Sequence, residues 1–456
     1  MIEKVLVANR GEIAVRIIRA CREMGIETVA VYSTADEDAL HVELADEAVC
    51  IGSPLPKNSY LNIENIVSTA VLTGCDAIHP GFGFLSENAK FAEICTNCGI
   101  KFIGPSSEMI RLMGDKAKAR EMMIAADVPV VPGSEGILET VEEAVLLAKE
   151  IGYPVILKAA AGGGGRGMRI VRKVSELKEA FSSASSEALN AFGDGSMYLE
   201  KYVENPRHIE FQILGDGHRH VIHLGERDCS LQRRHQKVME EAPSPFLSQE
   251  LRREMGEAAI KAAQVVNYEN AGTIEFIVDQ SGEFYFIEMN TRIQVEHPIT
   301  EMITGVDLIK EQIRIASGEP LSLTQEDVQI KGHAIECRIN AENPDMDFRP
   351  SAGHISELYL PGGRGIRIDS ALYEGYQVPP QYDSMLAKVI AYGETREEAI
   401  AIMKRALAEV SIEGIDTNIF FQYQLLNQEE FIEGTFDTGF IERNLGNILG
   451  GLVDEA

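Results

Sequence analysis

The chain has 456 residues, 45% hydrophobic and 25% charged, proportions of a globular protein; its length predicts about two to four domains. A formal net charge of −29, from 42 basic and 71 acidic residues, excludes nucleic acid as a default partner. No apolar run approaches the length that spans a bilayer, so no membrane partner is expected.

With so acidic a chain, phosphate binding must rest on local positive pockets. Lys116, Lys158, Lys201, Lys237, Arg292, Arg338 and the pair Arg233-Arg234 are the candidates. The first residues, Met1-Ile2-Glu3-Lys4-Val5-Leu6-Val7, lead straight into a strand with no n-region, h-region or cleavage site, which predicts a cytoplasmic protein.

Up to about residue 113 the pattern alternates strand and helix. Residues 4–8, 28–32, 77–79 and 101–103 read as strands, and 13–24 as a helix, giving an open α/β sheet. Ala8-Asn9-Arg10-Gly11-Glu12-Ile13 occupies the first strand-to-helix turn, a ligand position by topology, but it lacks the dinucleotide glycine pattern. Cys95-Thr96-Asn97-Cys98 falls at a helix end before Gly99. No second pair completes a zinc site, so the seven cysteines read as reduced structural thiols.

Further on, Tyr153-Pro154-Val155-Ile156-Leu157-Lys158 is a short apolar strand. It runs into Ala159-Ala160-Ala161 and four glycines, Gly162 to Gly165, then Arg166-Gly167-Met168 and a second strand, Arg169-Ile170-Val171. Glycine backbone approaches phosphate oxygens closely, and Lys158 adds a positive charge. No Gly-Lys-Ser/Thr follows, so this is not a Walker loop. Two readings stand: a mobile surface hairpin, or a hairpin lid over a nucleotide.

The segment Glu288-Met289-Asn290-Thr291-Arg292-Ile293-Gln294-Val295-Glu296 begins where the apolar run Phe284-Tyr285-Phe286-Ile287 ends. Glu288 and Asn290, at i and i+2, face one side of an extended segment and offer hard oxygens suited to Mg²⁺ beside phosphates. Arg292, Gln294 and Glu296 repeat the spacing and form a candidate anion pocket. The alternative is a polar loop at a strand end. From about residue 331 the pattern becomes α+β, with strands at 333–339 and 354–360 and a helix at 396–410.

These segments combine with V-A-N-R-G-E-I-A-V-R-I (7–17), H-P-G-F-G-F-L-S-E-N (79–88), G-D-K (114–116) and E-K-Y-V-E-N-P-R-H-I-E (200–210). E-R-D-C-S-L-Q-R-R-H-Q-K (226–237), C-R-I-N-A-E (337–342) and Y-D-S-M-L-A-K (382–388) complete the set. In this order and spacing the chain resembles, over essentially its whole length, the biotin carboxylases of the ATP-grasp superfamily. The free-standing subunits of bacterial acetyl-CoA carboxylase are the nearest likeness. The resemblance implies an α/β and α+β fold: a Rossmann-like pre-ATP-grasp domain (1–113), an ATP-grasp domain (114–330) with a lid at about 131–203, and a C-terminal biotin carboxylase domain (331–446).

It also implies a reaction: ATP, bicarbonate and a biotinyl carrier give ADP, phosphate and the carboxybiotinyl carrier, by way of carboxyphosphate. This would be the first half-reaction of acetyl-CoA carboxylase or, alternatively, of a pyruvate or other acyl-CoA carboxylase. By the same resemblance Lys116, Lys158, Gly164 and Gly165 contact ATP phosphates, and Glu200, Lys201, Tyr202 and Val203 form an adenine-binding link. His208, Gln232 and His235 lie around ribose and phosphate. Glu275 and Glu288, on the two strands of one hairpin, are the metal ligands with Asn290, for two Mg²⁺ or Mn²⁺ ions with ATP. Arg292, Gln294 and Val295 take bicarbonate. Glu296 is the candidate general base, or holds Arg292 in a salt bridge, or does both. Lys237 stabilises the transferring phosphoryl group and Arg338 the enolate-like biotin, near Phe82. Phe82, where some relatives have tyrosine, and Ala161, in the glycine run, are departures. No A-M-K-M-type biotinyl motif occurs, so biotin is expected on a separate carrier protein, with carboxyltransferase subunits as further partners. Arg19 and Glu23, at i and i+4, match a homodimer face in similar proteins.

Overall fold

The structure is a computed structural model in which residues 2–134, 136–159, 167–192 and 194–450 are described. Gly164, Gly165 and Ala161 lie outside the described residues. The chain forms two compact units: Met1–Val128 with Arg207–Phe276 and Glu288–Ala456, and Pro129–Pro206 with Ile277–Ile287. The second unit thus begins at Pro129 and takes in a segment, Ile277–Ile287, that was expected in the body of the ATP-grasp domain.

In the first unit, five parallel strands form an open sheet in the order Glu47–Gly52, Glu27–Ser33, Lys4–Val7, Ala77–His79, Lys101–Phe102. The strands are nearly continuous apolar runs because helices such as Gly11–Glu23 and Ile63–Leu72 accompany them. Val5, Leu6, Val29 and Ile78 are fully buried. The cysteine pair ends the helix Ala89–Asn97, with Cys98 as its cap, and all seven cysteines are free thiols.

The functional residues sit on a second sheet of eight strands. Its order is Phe284–Asn290, Asn270–Val278, Arg207–Gly215, Val221–Arg233, Gln236–Ala242, His333–Asn340, Met385–Gly393, Ile366–Ser370. Gln236–Ala242 pairs antiparallel with His333–Asn340, so this sheet runs through the expected domain boundary at 330/331. Between Val221–Arg233 and Gln236–Ala242 the chain turns on Arg234 and His235, at φ +49° and +63°. Two positive-φ residues in a two-residue loop match the right-handed twist of a hairpin.

The single strand expected at 354–360 divides in two. Gly353–His354 pairs with Gln377–Val378, and Glu357–Tyr359 with Ser411–Glu413. Ile355 N–H donates to the Tyr376 carbonyl, and Ser356 N–H to the Glu413 carbonyl. Consecutive residues therefore serve different partner strands, which alternation within the segment does not encode.

The second unit has three antiparallel strands, with Val155–Ala159 between Met168–Val171 and Met197–Lys201. Two helices, Val141–Ile151 and Val174–Phe192, accompany them. Gly167, at φ +70°, would place a β-carbon 2.8 Å from that of Ala159, so a side chain there meets the strand. No helix among the described residues is long and apolar enough to cross a membrane.

Glu241 anchors the junction of Gln236–Ala242 with the helix Arg396–Glu409. Its carboxylate accepts from His333 Nε2 at 2.6 Å and from Arg396 Nε at 2.7 Å. Burial would raise its pKa, yet the hydrogen bonds and charges of these partners bring it down to about 2, from an ordinary 4.5. A depressed carboxyl stabilises the fold above its unfolded value, and that stability is lost as pH falls through the folded one. Glu241→Gln should therefore cost about 3 kcal/mol at neutral pH. It should also flatten the stability curve between 4.5 and about 2, as measured by denaturant titration against pH.

Candidate active site

Three carboxylates from three elements converge on one ammonium. Lys237 Nζ lies 2.5 Å from Glu210 Oε2, 2.7 Å from Glu296 Oε1 and 3.2 Å from Glu275 Oε1. All but Glu296 lie on strands of the eight-stranded sheet, and register shifts between Val221–Arg233 and Gln236–Ala242 fall beside Lys237. Burial disfavours the ammonium, but the surrounding acids hold the Lys237 pKa well above its usual range.

Glu296 is fully buried and clamped at both oxygens. Its Oε2 accepts from Arg338 Nη2 at 2.9 Å, opposite the Lys237 contact. Burial would raise this carboxyl, yet Lys237, Arg338 and Arg227 outweigh it and hold the pKa well below the ordinary value. The expectation that Glu296 pairs with Arg292 is corrected. Arg292 Nε donates to Glu87 at 3.0 Å, Nη1 to Gln294 Oε1 at 2.8 Å and Nη2 to Asn290 Oδ1 at 3.1 Å. The segment after Asn290 leaves the sheet, so Arg292 points along it while Glu296, at the start of the helix His297–Thr304, faces Lys237. The Val295 carbonyl accepts from Lys388 Nζ at 2.9 Å.

The expected metal ligands have separate partners. Glu275 Oε2 lies 3.1 Å from His208 Nε2, and its Oε1 accepts from Asn290 Nδ2 at 2.8 Å. Cationic neighbours, Lys237 above all, overcome burial and hold Glu275 strongly ionised. Glu288, partly exposed, lies 3.1 Å from Lys116 Nζ. The carboxamide oxygen of Asn290 already faces Arg292. Among the described residues, His208, Glu210 and Glu275 bring ligand atoms within 4.8 Å of one another, and no group of three or more acid, His or Cys ligands includes Glu288. Two carboxylates with an amide oxygen and no thiolate still suit a hard cation.

Gln232 is buried and contacts His208 Nδ1 at 3.0 Å, which ties these two predicted residues together. His235 sits exposed at the hairpin turn. Arg233 and Arg234 both reach Asp347, and Arg233 stacks 3.8 Å over Phe348. Phe82 is half-buried and packs against the core of the first sheet, its carbonyl accepting from Asn9.

In the second unit, Lys158 pairs with Glu200. Lys201 Nζ donates to the carbonyls of Gly152 and Tyr153. The backbone N–H groups of Lys201 and Tyr202 already go to the carbonyls of Pro132 and Pro154. Neither is the adenine donor expected of this link, because both are used in holding its strand; Val203 follows directly.

Sequence reasoning did not single out four side chains that complete the site. Glu210 and Arg227 are buried together at 2.7 Å, with Arg227 also bonding Gln212, Thr273 and Thr300. Glu240 pairs with Arg338, and Glu87 holds Arg292. Buried charges need partners, so Arg227 in a core strand was itself a signal for Glu210. Glu240 and Glu87 left no comparable trace.

Family models match three stretches of the chain: Biotin carboxylase, N-terminal domain at residues 1–110; Carbamoyl-phosphate synthase L chain, ATP binding domain at 115–324; and Biotin carboxylase C-terminal domain at 336–443. Biotin carboxylase 1 of Bacillus subtilis is 62% identical over 443 residues, 97% of this chain and 98% of that protein. Biotin carboxylase of Haemophilus influenzae is 56% identical, covering 98% and 99%. A pyruvate carboxylase component of Methanothermobacter thermautotrophicus is 56% identical, covering 97% and 90%. The biotin carboxylase domain dimer of the Hydrogenobacter thermophilus 2-oxoglutarate carboxylase, solved with MgADP, ADP and bicarbonate, is 54% identical. It has a TM-score of 0.89 and covers 98% of this chain and 99% of that one.

Replacing Lys237 by Met leaves Glu210, Glu275 and Glu296 facing one another without the ammonium. Lys237→Met should cost about 3–5 kcal/mol of stability, and adding Glu210→Gln should recover part of it. Chemical denaturation of the single and double variants measures both, and a loss below about 1 kcal/mol would contradict the assigned charge balance.

Proposed function

The chain belongs to the biotin carboxylase family, and on that premise we propose how its residues divide an ATP-dependent carboxylation of biotin. Bicarbonate attacks the γ-phosphorus of ATP, the bond to the bridging oxygen breaks, and ADP leaves carboxyphosphate. That species releases CO₂ and phosphate. Phosphate takes the N1′ proton of biotin, and N1′ adds to CO₂.

Arg292, presented by Glu87, receives bicarbonate in its fork, with the Gln294 side chain and the Val295 N–H completing the pocket. Glu296 accepts the bicarbonate proton. So strongly ionised a carboxylate is a weak base, so this transfer belongs to the moment when attack at phosphorus makes that proton acidic. Lys237 neutralises the phosphoryl group in transfer. Arg338 faces the enolate-like biotin, with Phe82 nearby. Lys116, Lys158, His208, Gln232, His235, the glycines at 164 and 165 and the 200–203 link are assigned to ATP. Glu275, Glu288 and Asn290 would hold Mg²⁺ or Mn²⁺, which supplies charge neutralisation at the phosphate oxygens. The Hydrogenobacter relative was solved with MgADP and bicarbonate, which favours that choice.

The observation that carries this reading is the double clamp on Glu296. One oxygen meets Lys237, on the phosphate side, and the other Arg338, on the biotin side. The two half-steps thus share one buried carboxylate.

The proposed biotin donor is a separate carrier protein of an acetyl-CoA carboxylase, with carboxyltransferase subunits completing that enzyme. The pyruvate carboxylase relative, 56% identical, supports a second reading, a carrier of that type. A cytoplasmic setting accords with seven free thiols. A homodimer is also proposed, since the Hydrogenobacter domain is a dimer. The helix Gly11–Glu23 presents Arg19 and Glu23 beside a cavity of about 330 Å³ lined also by Arg16, Asp307 and Arg367. Glu23 pairs with Lys310 at 2.6 Å.

Purified protein should release phosphate from ATP in a reaction that requires bicarbonate and Mg²⁺, runs slowly without biotin and is accelerated by it. Arg338→Gln should lower biotin carboxylation more than bicarbonate-dependent ATP cleavage; equal losses would move Arg338 out of the biotin side. Turnover with the two carrier types ranks the two carrier readings. Sedimentation should give a dimer that Arg19→Glu weakens, whereas a dimer left intact by that change rules out this face.

A further inference from the structure

Strands Gln236–Ala242 and His333–Asn340 are paired so that Glu240 stands directly opposite Glu336. Arg338, two residues on, shares the face of Glu336. Lys388 stands opposite Arg338 in the next strand. Four charged groups thus lie on one face at the junction of the ATP-grasp and C-terminal segments.

Glu240 is 1% exposed. Its Oε1 accepts from Arg338 Nε at 2.7 Å and lies 2.6 Å from Nη2. Its Oε2 has no hydrogen-bond partner among the described residues. Burial pushes the Glu240 carboxyl up to about 7, against the pull of Arg338. Glu336 is fully buried, and neither of its oxygens has a partner among the described residues. Burial raises the Glu336 carboxyl well above the ordinary range despite Lys388, and the charge of Glu240 adds to the rise. Two carboxyls facing each other in a dry sheet do not both ionise. Arg338 faces Glu240, whereas Glu336 has no hydrogen-bond partner among the described residues, so the negative charge of the pair is favoured on Glu240.

A guanidinium is planar, so contacts on two of its nitrogens fix its plane. Glu240 holds Nε and Nη2 from one strand, and Glu296 holds Nη2 from beyond the sheet. Among the described residues these contacts engage Nε and Nη2, which leaves Nη1 to meet a ligand. We propose that Glu240 is a positioning residue for the biotin half-reaction: it sets the plane of Arg338 so that Nη1 meets the ureido oxygen of biotin as that oxygen gains charge. Glu336, neutral beside it, keeps a second negative charge from opposing that gain. The inference rests on the assignment of Arg338 to the biotin side.

The test compares Glu240→Gln, Glu240→Asp, Arg338→Gln and the Glu240→Gln/Arg338→Gln double variant in two assays. One is bicarbonate-dependent ATP cleavage without biotin, and the other is carboxylation of free biotin, with thermal melts alongside. Glu240→Gln should lower biotin carboxylation about tenfold more than ATP cleavage, the size of a charge-assisted hydrogen bond. The double variant should be no worse than Arg338→Gln alone, because both changes remove one device. Glu240→Asp keeps the charge at shorter reach and should show a smaller selective loss; it carries the test if the Gln variant does not fold. Equal losses in the two assays, or additive losses in the double variant, would overturn the positioning role while leaving Arg338 on the biotin side. An unselective Arg338→Gln would overturn the assignment of Arg338 itself, and this inference with it.

Discussion

One ammonium among three buried carboxylates sets the character of this site. Taking Lys237, Glu210, Glu275 and Glu296 out of water separately is costly, and together they are tolerable only as a neutralised cluster. Three acids exceed one lysine, so further hydrogen-bonding or cationic partners are obligatory. Arg227 answers Glu210, His208 meets Glu275, and Arg338 meets Glu296. Each of these is in turn fixed, Arg227 by Gln212, Thr273 and Thr300, His208 by Gln232, and Arg338 by Glu240. The network is therefore preorganised around charges that are already ionised, the condition under which a site stabilises transferring anions without first having to rearrange.

The fold supplies this geometry through strand register. Lys237 and Glu240 are on one strand, Glu336 and Arg338 on its neighbour, and Lys388 on the next. A one-residue slip in the pairing of Gln236–Ala242 with His333–Asn340 would send Arg338 to the opposite face. Continuity of the sheet across the two sequence segments thus matters to the site, because Lys237 and Arg338, the two cations that clamp Glu296, are held in one hydrogen-bonded lattice. Lys388 extends the lattice to the loop after Asn290, through the Val295 carbonyl, and to Glu12 of the first helix at 3.0 Å.

Much of this was legible in the amino-acid order. The parallel strands of the first sheet, the helix at 396–409 and the hairpin carrying Glu275 and Glu288 follow from apolar runs, period and turn residues, which are local signals. The polar segment from Glu288 to Glu296 stands out by its charge density after an apolar strand. What was not legible depends on pairings far apart in the chain. Glu240 is one acid in Val238-Met239-Glu240-Glu241, and nothing local says that it faces Arg338 while Glu241 turns to His333 and Arg396. The salt bridge expected between Glu296 and Arg292 followed spacing, whereas the chain turns into a helix at His297 and separates them. The break at 355–356 has the same origin: the choice of partner strand is made by the rest of the fold.

The central claim is that fixed cations, not solvent, hold Glu296 as a carboxylate while its neighbour Glu240 titrates. Protein labelled with ¹³C at the glutamate carboxyl carbons, with resonances assigned through Glu296→Gln and Glu240→Gln, reports both groups in one pH series. The account predicts a Glu296 resonance that stays at its ionised position from about pH 8 down to about pH 5, where an ordinary glutamate begins to titrate. It predicts a separate step for Glu240 near 7. A Glu296 resonance that titrates within that range would mean that Lys237 and Arg338 do not hold its charge, and would contradict the account.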